Sequence, residues 1–340
     1  SSGSFGDSMP PVTSVGNSTG DDSTSTGGSS SGNAGSSSTT TSDSTSDVSA
    51  TDSTTADDSG STTEVELPPV GCKGKIDFLF VISRDSVMSP ETQGKILTAF
   101  PKFIATIQAL FEHFDVQILV TDSHEPWGLG ICNAACPEPC IADPDYFCDY
   151  EPTMCDVTIG AGVVTNVGPD TVNAVCLDGP QRFITGDDPN LTEKFECIAR
   201  VGRNGDNRLG DAMVAAMSNK LNGPGGCNAG FIRNDAILMV TVIGPVDNEG
   251  APSSSMGTWQ EWREAIVQRK QGNDAAVVML GIIGAADKCE ELLGHKWRFC
   301  RLVPSFPYHV FAPLGSPDYT HLFDAAAGLA LEACGEFIPG

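Results

Sequence analysis

Apolar positions along this chain fall into short continuous runs and longer spaced series, and the two alternate. Ile76–Ile82 (IDFLFVI) is a nearly unbroken apolar run rich in Ile, Val and Phe, the pattern of a strand buried on both faces of a parallel sheet. Ser89-Pro90-Glu91 then carries a helix start, with serine at the cap and proline in the first turn. Leu97, Phe100, Ile104, Ile107, Leu110, Phe111 and Phe114 follow at helical spacing. Val116–Val120 (VQILV) predicts a second strand, so a right-handed βαβ unit opens the fold. Past residue 180 the same rhythm predicts helices over Leu191–Val201 and Leu209–Leu221, a strand over Ala236–Ile243, a helix over Trp259–Lys270 and a strand over Ala275–Ile283. A helix around Lys288–Leu293, a short strand near His309–Phe311 and a closing helix over Tyr319–Cys334 complete the series. Strands alternating with helices argue for an α/β fold: a doubly wound, mostly parallel sheet with helices on both faces.

Two stretches break the pattern. Residues 123–180 hold Cys132, Cys136, Cys140, Cys148, Cys155 and Cys176 among many Pro, Gly and Asp residues, and read as a disulfide-held insertion with no helix or strand layer of its own. Residues 1–66 are almost entirely Ser, Thr, Gly and Asp, with Phe5 as the one aromatic and no Lys or Arg. Such a segment cannot bury enough apolar surface to offset the entropy of ordering it, so it is expected to be a disordered, self-repelling linker. The domain plan is therefore a linker over 1–66 and one folded body over 67–340.

Charge and cysteine content narrow the setting. The net charge is −25; the first seventy residues carry ten acids and no Lys or Arg, leaving −15 on the remainder. A surface this acidic repels phosphate backbones, which argues against nucleic acid as a partner, and it disfavours an anionic membrane face. Twelve cysteines lie between Cys72 and Cys334, the rest being Cys197, Cys227, Cys289 and Cys300, and none lies in the polar tail. An even number confined to the folded part points to disulfides and an extracellular or cell-surface location. Zinc ligation by Cys132-x3-Cys136-x3-Cys140 is the lesser reading, because structural zinc sites favour paired, closely spaced knuckles. Cys289 and Cys300 are near enough in sequence to bridge each other. The start at Ser1-Ser2-Gly3-Ser4 leads us to expect that an export signal has been removed. It also suits an outer-membrane lipoprotein whose lipid anchor, its only link to a membrane, lies outside this sequence.

Four stretches together resemble a von Willebrand factor A (vWA) domain, and more narrowly the exported A-like domains of myxobacterial and related bacterial lipoproteins. They are Lys75–Ile82 leading into Met88–Gln93, Phe195–Gly202, Cys227–Leu238, and the ending Ala333–Pro339. The resemblance implies a vWA/Rossmann-like sheet, a ligand site beyond the carboxyl ends of the strands, and chain ends close enough for a clasp between Cys72 and Cys334. It also implies a metal-ion-dependent adhesion site (MIDAS), built from an Asp-x-Ser-x-Ser pattern after the first strand, a Thr from a middle loop and an Asp after the fourth strand. Here the pattern positions hold Ser83, Asp85 and Val87; the middle loop offers Asp206 or Asn207; and Gly244-Pro245 replaces Thr-Asp. Valine cannot ligate a hard cation, and Arg84 and Arg208 add positive charge, so the site is expected to be degenerate and without a cofactor. If Mg²⁺ or Ca²⁺ binds at all, Asp85, Asp206 and Asp247 would hold it.

The expected function is an extracellular or cell-surface binding or adhesion module for a protein or matrix ligand. Ser83, Arg84, Asp85, Ser86, Asp206, Asn207, Arg208 and Asp247, or alternatively the cysteine-rich insertion, would face that ligand. A structural cell-envelope protein without a specific ligand is the alternative. An extracellular hydrolase ranks last: the five histidines are dispersed, and no nucleophile–base or paired-carboxylate motif can be placed, so no enzyme is expected.

Overall fold

The computed structural model describes residues 71–125, 140, 147–148, 150–203, 205–247, 254–284, 286, 289 and 297–337. The linker expected over 1–66 lies outside them, as do Cys132, Cys136 and all of the Lys288–Leu293 helix except Cys289.

The central strand is β1 (Lys75–Ile82), and its alternation sorts the core into two layers. Phe78, Phe80 and Ile82 point into one layer, Leu79 and Val81 into the other. β1 pairs in parallel with β2 (Asp115–Asp122) on one side and with β6 (Ile237–Gly244) on the other. β7 (Val277–Ile283) and β8 (Tyr308–Pro313) continue the sheet in parallel beyond β6. β5 (Ile184–Thr185) closes the far edge antiparallel to β2, giving the order β5-β2-β1-β6-β7-β8. The fold is therefore a mostly parallel, doubly wound α/β sheet of the vWA/Rossmann-like kind.

Helix α1 (Pro90–Leu110) starts where the sequence predicts: the Ser89 hydroxyl accepts from Thr92 N at 3.1 Å and Pro90 fills the first turn. With α2 (Leu191–Ala199) and α5 (Thr320–Glu336) it covers one face around a phenylalanine cluster. There Phe100 and Phe195 lie 4.7 Å apart, and Phe103 and Phe323 4.8 Å apart. α3 (Leu209–Ala216) and α4 (Trp259–Arg269) cover the other face through Leu209, Met213, Trp262 and Ile266. α4 opens on a full capping box between Thr258 and Glu261.

Two elements differ from the sequence pattern. α3 stops at Ala216 instead of running to Leu221, because Asn222 Nδ2 and Asn228 Nδ2 take the Ala216 carbonyl and Ser218 caps a separate turn, Asn219–Asn222. The insertion also contributes strands: β3 (Thr165–Asn166) and β4 (Ala174–Val175) form a small antiparallel pair. Its Val163 N donates to Val120 O at 2.7 Å, seating it against β2.

Disulfides join Cys72 to Cys334, Cys155 to Cys227, Cys176 to Cys197 and Cys289 to Cys300. Cys140 and Cys148 are disulfide-bonded as well, so Cys140 is not a zinc thiolate, and no cysteine is free among the described residues. Beside the Cys155 bridge, buried Asn228 accepts from Gly162 N at 2.9 Å and donates to Gly160 O at 2.8 Å, fastening the insertion to the body.

Candidate functional site

Strand order reverses at β1, whose neighbours β2 and β6 lead away in opposite directions. Connections diverge there and leave a crevice outside the carboxyl ends of the strands, the place where open α/β sheets hold ligands. Four segments meet at this end: residues 83–89 after β1, 122–125 after β2, 203 and 205–208 before α3, and 244–247 with 254–258 between the end of β6 and α4.

Backbone hydrogen bonds fix their relative positions. Ser83 N donates to Ile243 O at 2.9 Å, Gly205 N to Arg84 O at 2.8 Å and Ser123 N to Ile82 O at 3.2 Å. Gly244 answers a steric need, since a Cβ there would stand 2.6 Å from Ser83 Cβ and 2.8 Å from Leu209 Cδ1. Side chains continue the fastening. Ser83 Oγ donates to Asn207 Oδ1 at 3.1 Å, and Asn207 Nδ2 donates to Val246 O at 2.9 Å. Asp85 folds back onto its own loop, accepting from Val87 N at 2.8 Å, while Asp85 N donates to Ser83 Oγ at 3.1 Å.

Two arginines sit beneath this surface. Arg84, 4% exposed, reaches Asp122 at 3.4 Å and Val167 O at 3.5 Å. Close by, Asp206 N donates to His124 Nδ1 at 3.1 Å, which requires a neutral imidazole carrying its proton on Nε2. Burial, then the charge of Arg84, lowers the His124 pKa in keeping with that tautomer. Arg298 lies on the far side of the crevice, with Nη2 2.5 Å from Asp247 Oδ1 and both side chains buried. Burial raises the Asp247 pKa, against the opposing pull of Ser255 and Arg298.

The structure therefore divides the eight expected ligand-facing residues. Ser83, Arg84, Asn207 and Asp247 lie below the surface and position others; Ser86 is exposed, and Asp85, Asp206 and Arg208 are partly so. Arg208 is held by Asp211 at 2.9 Å and Glu125 at 3.3 Å. Asp85, Asp206 and Asp247 do not form a metal-ligand set: no group of three or more His, Cys, Asp or Glu side chains able to hold an ion occurs among the described residues. The donor chemistry does not fit a divalent cation either, since the buried carboxylate is already matched by a guanidinium. The Ser83 hydroxyl is directed at an amide and His124 at a backbone N–H, so these two do not make a nucleophile–base pair. Arg298, Ser255 and Ser123 carry no local sequence motif; their partners here lie between 39 and 83 residues away along the chain.

No family model matches the chain, and no curated protein matches it. Among solved structures it is similar to the pilus adhesin SpaC from Lactobacillus rhamnosus GG, at 11% identity and a TM-score of 0.38 over 77% of this chain and 31% of that one. It is also similar to proximal thread matrix protein 1 from the mussel byssus, at 12% identity and a TM-score of 0.34 over 77% of this chain and 47% of that one. A further structure of that byssus protein has a zinc-occupied MIDAS motif, and matches at 14% identity and a TM-score of 0.33 over 78% of this chain and 47% of that one. The chain thus spans about a third of the adhesin and about half of the byssus protein.

Proposed function

We propose that this chain is a binding module working outside the reducing cytoplasm, and that its folded body takes a protein or matrix ligand on the carboxyl-end face of the sheet. The observation that supports this reading is a rigid floor carrying an exposed rim. Val87 and Met256, on the loops after β1 and β6, are 63% and 74% exposed. Ser86, Asp85, Asp206 and Arg208 share those loops or the neighbouring one. Apolar side chains held out among polar groups on a pre-ordered scaffold suit protein recognition, because little entropy is lost on binding. The wholly bonded cysteines of the described residues support an oxidising compartment. In the same reading the site descends from a MIDAS that has lost its metal ligands. The polar segment over 1–66 acts as a spacer to a lipid anchor of the myxobacterial envelope kind, beyond this sequence.

The test uses the full chain as bait on envelope or matrix extract, with each captured protein then purified and titrated individually. Val87→Asp/Met256→Asp should abolish binding of the true ligand. Leu110→Asp, a control on the exposed end of α1 at the opposite end of the sheet, should leave it intact. Equal binding by both variants would remove this face from consideration.

A further inference from the structure

We propose that Arg298 is a built-in cation at the switch point, balancing Asp247 and organising the surrounding loops without any need for a bound divalent ion. This does not depend on what the face binds.

The geometry is that of a coordination centre made from a guanidinium. Arg298 Nη2 is 2.5 Å from Asp247 Oδ1, with 3% and 0% of the two side chains exposed. Its Nη1 donates to Ser255 O at 2.8 Å and Gly257 O at 2.7 Å, and its plane lies 4.5 Å from the Trp262 ring centre. Asp247 Oδ1 also accepts from Ser255 N at 3.2 Å. The Ser255 hydroxyl in turn accepts from Gly210 N at 2.8 Å and Asp211 N at 3.2 Å, the free donors at the start of α3. One cation thus ties the β6–α4 loop to α4 and, through Ser255, to α3.

A divalent ion at Asp247 would have to share a single carboxylate with this guanidinium, and like charges at such a distance repel strongly in a buried site. Arg298 is itself held by the chain, two residues before Cys300 in the loop closed by the Cys289–Cys300 bridge. The cation is therefore tethered, and the loops it organises do not depend on a soluble ion.

Thermal melts of the full chain test this. Wild type should keep one Tm in chelator, Mg²⁺ and Mn²⁺. Arg298→Ala should melt lower, and millimolar Mg²⁺ or methylguanidinium should raise its Tm by about 5 °C. Asp247→Asn/Arg298→Ala, which removes the orphaned carboxylate, should fold and ignore both cations. Three results would overturn the proposal: a Tm rise of wild type in Mg²⁺ as large as the variant's, no rescue of Arg298→Ala by either cation, or failure of the double variant to fold.

Discussion

Each end of the sheet buries one aspartate against one arginine, and the two pairs are finished differently. At the amino end, both oxygens of fully buried Asp77 are used: Arg233 Nε donates to one and Arg233 N to the other, each at 2.8 Å. Arg233 Nη2 goes on to Ile76 O and Asp115 O, and Lys270 Nζ donates to Arg233 O at 2.7 Å. That network binds β1, β2 and the approach to β6, with Arg233 Nη1 facing Asp115 Oδ2 at 2.5 Å as an ion pair without an aligned hydrogen bond. At the carboxyl end Asp247 uses one oxygen, and its Oδ2 has no hydrogen-bond partner. A buried carboxylate bonded through both oxygens holds its surroundings more firmly than one bonded through a single oxygen. The aspartate at the amino end is thus the more completely bonded of the two.

The cross-links follow the same division, and they supply the largest test. Cys72–Cys334, joining the chain just before β1 to the end of α5, spans 262 residues, while Cys289–Cys300 spans 11. Chain entropy then predicts losses of about 5 kcal/mol for Cys72→Ser/Cys334→Ser and about 3 kcal/mol for Cys289→Ser/Cys300→Ser. Urea unfolding measures both. Equal losses would break the contrast between the two ends.

Between these two in size is Arg233→Met, expected to cost about 4 kcal/mol at pH 7 because it strands a buried carboxylate. Its pH dependence sharpens the point. Burial already pushes the Asp77 pKa from 3.8 up to about 6, although Arg233 pulls it down. Without Arg233 the folded value rises further, so the folded state holds a proton that the unfolded state has released. Stability from such a group is present at low pH and is lost as pH climbs through the folded pKa. The deficit of Arg233→Met should therefore be smaller at pH 5 than at pH 7. A deficit unchanged with pH would mean that Arg233 acts only through its carbonyl contacts.

The smallest expected effect is at the rim. Val87→Asp/Met256→Asp should change unfolding free energy by no more than about 0.5 kcal/mol, since both side chains stand in solvent. A larger loss would place these two side chains within the packed structure.

Much of the scaffold was legible in the residues themselves. Ile76–Ile82 and Ala236–Ile243 announce buried strands, and Ser89-Pro90 announces a helix start, because burial on a sheet and capping of a first turn involve neighbours only a few residues away. The candidate site was legible only as a location. Which of its residues lie beneath the surface and which stand out was settled when residues 205–208 were laid over the ends of β1 and β2.

What the sequence alone determined, then, is the alternation of strands and helices, the acidic polar segment ahead of them, and the departure of Ser83, Asp85 and Val87 from a metal-binding pattern. Tertiary structure decided the two-residue edge strand β5, the pairing of Cys155 with Cys227 and of Cys176 with Cys197, and the meeting of Arg298 with Asp247 across 51 residues. The reason is physical: periodicity and caps are written in contacts within a turn or two, whereas a partner for a buried charge or thiol is chosen only when distant strands are brought side by side.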